Sequence, residues 1–207
     1  MRSGALTTGQ RVELLKRDFD DPDSLRKLAS QIKQHTIDHL DQYLEQAEVS
    51  LKKAGAKVHF ASDSKSACAQ ILNILQTHRV QRVVKSKSMA TEEIHLNPYL
   101  EEHGIETVET DLGEFIVQID EDTPSHIVRP IIHKKREEVA ESFERHGLGD
   151  YNDDPETITR RARVHLRAKY MESGAGITGG NFVSAESGRV VLVTNDSAWL
   201  LTRSTSQ

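Results

Sequence analysis

Between residues 56 and 109, short apolar runs alternate with amphipathic segments, and this alternation limits the possible folds more than any other feature of the sequence. The runs at residues 56–60, 80–84 and 105–109 predict β-strands that begin about 25 residues apart, with helically spaced apolar residues between them. Strands separated by a helix pair in parallel through right-handed crossovers. The sequence therefore predicts an α/β fold with a mostly parallel sheet flanked by helices.

A long helix is predicted before the first of these strands. Asp21 and Pro22 form a helix start signal, the apolar spacing continues to Ala54, and Gly55 ends the segment. About 30 residues at 1.5 Å per residue extend about 45 Å, so we expect a bend or break near His35. The residues before Asp21 are predicted to form a mobile arm with one or two helical turns.

The alternation of strands and helices changes after Thr110. The continuous apolar run at residues 115–119 predicts another strand. Two helices and two further strands are predicted at residues 131–146, 153–173, 176–185 and 189–194. The predicted organisation is an N-terminal arm and helical extension (1–54), an α/β domain (55–196) and a loosely held tail (197–207).

Charge and cysteine content exclude several classes of protein. A net charge of −5 argues against a general nucleic-acid binder or a polybasic membrane-binding protein. No apolar run approaches the ~20 residues that span a bilayer, and the first residues lack a signal peptide's apolar stretch, so we expect a cytoplasmic protein. Cys68 is the only cysteine, which excludes an intrachain disulfide and an iron–sulfur cluster held by four of the chain's own thiolates.

Lysines and hydroxyl groups follow the second predicted strand. Lys85, Ser86, Lys87 and Ser88 stand between that strand and the next predicted helix. Ligands of open α/β sheets gather at the carboxyl ends of strands, where helix N-termini offer unpaired N–H groups. This placement suits a carboxylate or phosphate, although no Walker pattern is present. The alternative is a polar loop whose serines cap the helix and whose lysines are solvated.

A glycine-rich segment lies at residues 174–181. Its glycines allow the backbone to approach a ligand or another backbone closely. The segment does not match the dinucleotide fingerprint, because it follows a helix and precedes a strand. A helix-to-strand turn is the alternative interpretation.

Glu186, Ser187 and Gly188 lie between the last two predicted strands. A carboxylate at a strand end can act as a base, a nucleophile or a hydrogen-bond acceptor. The same residues are equally typical of an ordinary hairpin turn with an exposed acid. Glu114 adds a further acid near the end of the third predicted strand. The ten histidines show no zinc-binding spacing, and Cys68 is predicted to lie in the core.

Several ordered motifs together resemble the LUD (lactate-utilization) domain family, and within it the lactate-utilization B group. The motifs, which lie in unbroken order within residues 20–195, are residues 85–89, 110–114, 124–128 with Pro130 and His133, 176–182, and 185–188. The resemblance implies a fold similar to the sugar-phosphate isomerase and coenzyme-A transferase group. It also implies a cleft lined by Lys85, Ser86, Lys87, Ser88, Glu114, Gly179, Gly180, Asn181, Glu186, Ser187 and Gly188, with Glu186 available for acid–base catalysis.

The resemblance further implies a role in a multi-protein system that oxidises L-lactate to pyruvate. Family members relay electrons through iron–sulfur clusters in a following ferredoxin-like region, whereas this chain has a single cysteine and a short polar end. We therefore expect no cofactor in this chain, and clusters only in full-length relatives. We expect this chain to have fewer strands than family members have, which would leave one edge of its sheet open. An open edge predicts self-association, an element that covers the edge, or marginal stability.

The leading hypothesis is a LUD-type component that binds a small anion, has other lactate-utilization proteins as partners and does not turn over alone. A homo-oligomer is possible, and neither nucleic acid nor a membrane span is expected. Two alternatives stay open, because one fold hosts many functions. One is an acyl- or phosphosugar-processing enzyme that uses Glu186, and the other is a non-catalytic assembly module whose helix at residues 24–54 binds a partner. The hypothesis requires Lys87 and Glu186 to share one cleft.

Overall fold

The computed structural model describes residues 2–122, 131 and 133–193. Within these residues the helices are α1 (Arg2–Asp18), α2 (Pro22–Asp38), α3 (Leu40–Lys53), α4 (Ser64–Thr77), α5 (Met89–Glu93), α6 (Leu96–Glu102), α7 (Leu112–Ile119), α8 (Arg136–Arg145) and α9 (Pro155–Met171). The strands are β1 (Arg82–Lys85), β2 (Glu106–Glu109), β3 (Ala175–Ile177), β4 (Phe182–Ser184) and β5 (Arg189–Val191).

A three-stranded parallel sheet in the order β2-β1-β3 lies at the centre of the fold. Adjacent residues of β1 point to opposite faces, so Val83 packs with α4 and α6, and Val84 packs with α7, α8 and α9. Helices therefore cover both faces of the sheet, as parallel sheets require. The predicted α/β class is confirmed, while the likeness to the sugar-phosphate isomerase and coenzyme-A transferase group stays a prediction.

The prediction of a strand at residues 115–119 is wrong. This run lies in helix α7, which begins where the Asp111 side chain accepts hydrogen bonds from the backbone N–H groups of Gly113 and Glu114. Phe115, Ile116 and Val117 are all buried. A continuous apolar run buried on several sides has no readable period, so its sequence does not distinguish a strand from a buried helix.

The prediction of a strand at residues 56–60 is also wrong, since these residues form no regular element. Phe60 is 59% exposed, so the run buries too little apolar surface to hold a strand in place. The predicted strands at residues 80–84 and 105–109 correspond to β1 and β2.

The predicted helices are present but differently divided. The long N-terminal helix is interrupted at His39, which confirms the expected break. The residues before Asp21, which were predicted to form an arm with only one or two helical turns, form the continuous helix α1. The helix predicted after Lys85–Ser88 is split into α5 and α6, with His95 in the left-handed region at φ 54°. The tail at residues 197–207 and the motif at residues 124–128 lie outside the described residues.

The chain divides into two compact units, of which one comprises residues 1–58 and 183–189 and the other residues 59–182 and 190–207. The first unit contains α1, α2 and α3. The second unit contains the parallel sheet and the helices that cover it. β4 and β5 form a separate two-stranded sheet.

In the first unit, Gly188 is held tightly against α3. It adopts φ +64°, and a Cβ atom there would lie 2.5 Å from the backbone carbonyl of Ser50. We expect Gly188→Ala to lower the free energy of unfolding by about 1–3 kcal/mol beyond the roughly 1 kcal/mol that a positive φ costs alanine. Gly55→Ala is the matched control, because Gly55 also has a positive φ but no neighbour within 4 Å. Urea unfolding measures both losses, and equal losses would contradict the close contact.

Candidate functional site

The carboxyl edge of the parallel sheet brings chemically active residues together. In the register of the sheet, Lys85 at the end of β1 is paired with Glu109 of β2 on one side and with Ile177 of β3 on the other. The carboxyl ends of parallel strands meet at one edge, where α/β proteins commonly bind ligands. Lys85 and the Glu109 carboxylate therefore form the base of the candidate site.

The Lys85 ammonium group is almost completely buried. Its side chain is 1% exposed, and Nζ lies 2.8 Å from Oε1 of Glu109. Nζ also donates to Oγ1 of Thr91 at 3.3 Å, while the amide of Asn97 donates to the same Glu109 oxygen at 2.7 Å. A buried ion pair is stable only when such additional hydrogen bonds satisfy the remaining donors and acceptors.

Backbone and hydroxyl hydrogen bonds position the loop that follows β1. Thr110 donates its N–H and its hydroxyl to the Lys85 carbonyl, and the Ser86 N–H donates to the Ile177 carbonyl. The Ser86 hydroxyl donates to Oγ1 of Thr178 at 2.8 Å. The start of the loop is therefore hydrogen-bonded to the segments that contain both neighbouring strands.

Lys87 is the more accessible lysine of the site. Its Nζ lies 2.8 Å from Oε1 of Glu114, and its side chain is 24% exposed, whereas that of Glu114 is 6% exposed. Glu114 lies in the first turn of α7, where the capping Asp111 holds the helix start. The structure thus brings the predicted residues Lys87 and Glu114 into direct contact.

The glycine-rich segment reaches the same loop. A Cβ atom on Gly179 would lie 3.2 Å from Oγ of Ser88, so the glycine permits a close approach. A Cβ atom on Gly180 would lie 2.9 Å from a methyl group of Val190. The Asn181 side-chain oxygen accepts from the N–H of Val193 at 2.7 Å. Gly180 therefore packs closely against β5 and Asn181 holds the backbone that follows it, and their predicted ligand contacts stay a prediction.

Three buried side-chain oxygens in the described part of the chain have no hydrogen-bond partner, and they are Glu92 Oε1, Asn97 Oδ1 and Glu109 Oε2. Burial raises the pKa of Glu109, and Lys85 opposes that shift. Burial also raises the pKa of Glu92, which Glu114 raises further. The site thus contains carboxyl groups that bind protons more tightly than ordinary glutamates do.

Glu92, Asn97 and Glu109 were missed by the sequence reasoning. They belong to three different elements, α5, α6 and β2, and no motif spacing connects them. One signal was available for Glu109. It ends a predicted strand next to the strand that ends at Lys85, so strand register alone places the two residues opposite each other.

Glu186, Ser187 and Gly188 lie in the first unit, at the turn between β4 and β5. The Glu186 side chain is exposed, and its backbone carbonyl accepts from the Ser50 hydroxyl at 3.1 Å. The Ser187 hydroxyl donates to Oγ of Ser184 at 2.8 Å. Lys87 belongs to the other unit, so the predicted cleft shared by Lys87 and Glu186 stays a prediction.

Cys68 lies in the core, as predicted. It is 3% exposed, its thiol donates to the Ile94 carbonyl at 3.4 Å, and burial raises its pKa. Among the described residues, no group of histidine, cysteine and acidic side chains is arranged to hold a metal ion. None of the helices in the described ranges has the length and apolar content needed to cross a bilayer.

Comparison with known proteins identifies related sequences. A family model described as the LUD domain matches residues 44–198. Lactate utilization protein B of Shouchella clausii is 41% identical over 201 residues, which are 95% of this chain and 42% of that protein. The proteins of the same name from Oceanobacillus iheyensis and Bacillus subtilis are 46% and 45% identical, each over 83% of this chain and 36% of their own length. The chain thus spans about two fifths of these relatives, and no solved structure matches it.

Proposed function

Because the chain belongs to the LUD domain family, we propose that it acts in lactate utilization and that the carboxyl edge of its sheet binds a small 2-hydroxycarboxylate such as L-lactate. The relatives named lactate utilization protein B match nearly the whole chain at 41–46% identity, and this is the observation that carries the proposal. Lys85 at the end of β1 and Lys87 in the following loop support it, since α/β proteins bind ligands at this edge.

Lys87 is the group that meets the carboxylate. Lys85 is 1% exposed and is already surrounded by Glu109 and Thr91, so it acts mainly through its charge. Lys87 faces solvent and has one carboxylate partner, Glu114. An incoming carboxylate competes with Glu114 for the Lys87 ammonium group.

The reaction served by this binding is the oxidation of L-lactate to pyruvate, in which the substrate loses two electrons and two protons. We propose that the electron-accepting centre lies outside residues 1–207 and is reached through other lactate-utilization proteins, because an iron–sulfur cluster needs about four thiolates and these residues contain one cysteine. The chain alone is therefore expected to bind L-lactate without reducing a dye. Dye reduction by the purified chain, with no added partner or cofactor, would contradict this division of roles.

Calorimetric titration with L-lactate tests the binding site. We expect Lys87→Met to weaken binding roughly 10- to 100-fold, because it removes a charge-assisted hydrogen bond worth about 1.5–3 kcal/mol. Lys87→Arg keeps the charge and is expected to retain most of the affinity. Lys65→Met, which removes an exposed lysine of α4, is the matched control and should leave binding unchanged. Equal affinity of Lys87→Met and the unaltered chain would exclude Lys87 as the carboxylate-binding group.

A further inference from the structure

The charged side chains at the carboxyl edge of the sheet are unequal in number. Among the residues that the structure describes, two lysines, Lys85 and Lys87, lie near three glutamates, Glu92, Glu109 and Glu114. These residues come from β1 and the loop after it, from α5, from β2 and from α7, and α6 adds the neutral Asn97. With every glutamate ionised, this charge cluster would carry one uncompensated negative charge. A buried, uncompensated charge is costly, because little water is present to solvate it.

The unpartnered oxygens point to the same imbalance. Glu92 Oε1, Asn97 Oδ1 and Glu109 Oε2 are all hydrogen-bond acceptors, so what the cluster lacks is a donor. All three atoms are buried away from bulk solvent. A proton on one carboxyl group supplies a donor without needing extra space. It also makes the cluster neutral.

We propose that the charge cluster of Lys85, Lys87, Glu92, Glu109 and Glu114 retains one proton at neutral pH, held by Glu92 or Glu109, and that it takes up a further proton when an anion binds at Lys87. The retained proton is inferred from the charges and unpartnered oxygens of the charge cluster alone. The uptake on binding rests on the proposed function.

The direction of the pKa shifts agrees with this assignment. Burial raises the pKa of both Glu92 and Glu109 above the ordinary value of 4.5. A carboxyl group with a raised folded pKa stabilises the fold fully below its unfolded pKa, and that stabilisation is lost as the pH rises towards the folded pKa. The same two charges act on both groups, since Lys85 lowers and Glu114 raises the pKa of each.

Infrared spectroscopy of the whole chain tests the retained proton. A protonated carboxyl group has a C=O stretch that is separate from the carboxylate bands, and we expect this band at neutral pH. Glu92→Gln and Glu109→Gln should each abolish it, because two glutamates then balance two lysines. Lys87→Met should increase it, since a further proton is then needed. Glu93→Gln, on the exposed side of α5, is the matched control and should leave the band unchanged.

The absence of the band from the unaltered chain would overturn the proposal, whether or not the variants fold. A band that persists in both folded glutamine variants, as judged by circular dichroism, would overturn it equally.

Calorimetric titration in buffers of different ionisation enthalpy tests whether a proton is taken up when L-lactate binds. L-lactate binding is expected to take up about one proton, so its affinity should fall as the pH rises. Binding without proton uptake would overturn the proposed proton uptake and leave the proposed function intact. If L-lactate does not bind at all, the proposed function and the proposed proton uptake both fail, and the infrared band still decides whether the cluster holds a proton.

Discussion

Lys85→Met is expected to lower the free energy of unfolding by about 3–5 kcal/mol, which is typical when one partner of a buried ion pair is removed. The substitution leaves the Glu109 carboxylate buried beside Asn97, and no other cation of the described residues lies within hydrogen-bond distance of it. The loss should shrink as the pH falls, because a protonated Glu109 carries no charge to bury. Urea unfolding at neutral and acidic pH measures both effects.

A double substitution provides the control for this prediction. Lys85→Met combined with Glu109→Gln removes both charges and keeps an acceptor for the Asn97 amide. It should therefore recover most of the stability lost in Lys85→Met, since a neutral replacement of a buried ion pair is often tolerated. A double variant that is no more stable than Lys85→Met, or a single variant that loses less than about 1 kcal/mol, would show that the pair is not buried as described.

Phe143→Ala is expected to lower the free energy of unfolding by a similar amount, about 3–5 kcal/mol. Phe143 has no exposed surface, and its ring meets that of Phe115 edge-on, with ring centroids 6.3 Å apart. It lies in the core cluster that joins α7, α8 and α9 to the sheet. Because α7 also carries Glu114, the packing of this core fixes the position of Glu114 in the charge cluster.

The controls for Phe143→Ala are a milder change and an exposed site. Phe143→Leu keeps most of the apolar volume and should lose less stability. Phe60→Ala removes a phenylalanine that is 59% exposed, and it should change the free energy of unfolding by no more than about 0.5 kcal/mol. Equal effects of Phe143→Ala and Phe60→Ala in urea unfolding would contradict the assignment of Phe143 to the core.

The errors of sequence reasoning have a common cause. Residues 115–119 and 56–60 were both read as strands from their local apolar content. The first run is a helix, because it is buried between the sheet and α8, and the second forms no regular element, because Phe60 is mostly exposed. Local propensity is a weak guide where burial on several sides, or the lack of it, decides the outcome.

The site shows the same division between local and long-range information. Lys85 and Lys87 were found because they directly follow a recognisable strand, and the position of the loop at the sheet edge follows from parallel pairing. The partners of these lysines were only partly found. Glu114 was recognised, whereas Glu92 and Glu109 were not, since acids near a strand end are usually solvated and burial is not visible in the sequence.

By itself, the sequence determined the parallel α/β architecture, the lysine loop at the end of β1 and the family to which the chain belongs. These conclusions depend on periodicity, helix capping and ordered motifs, which are properties of neighbouring residues. Only the tertiary structure decided which side chains pair, and that two lysines and three glutamates meet at the carboxyl edge of the sheet. The physical reason is that the energy of a charge depends on its distance from water and from other charges, and folding alone sets these distances.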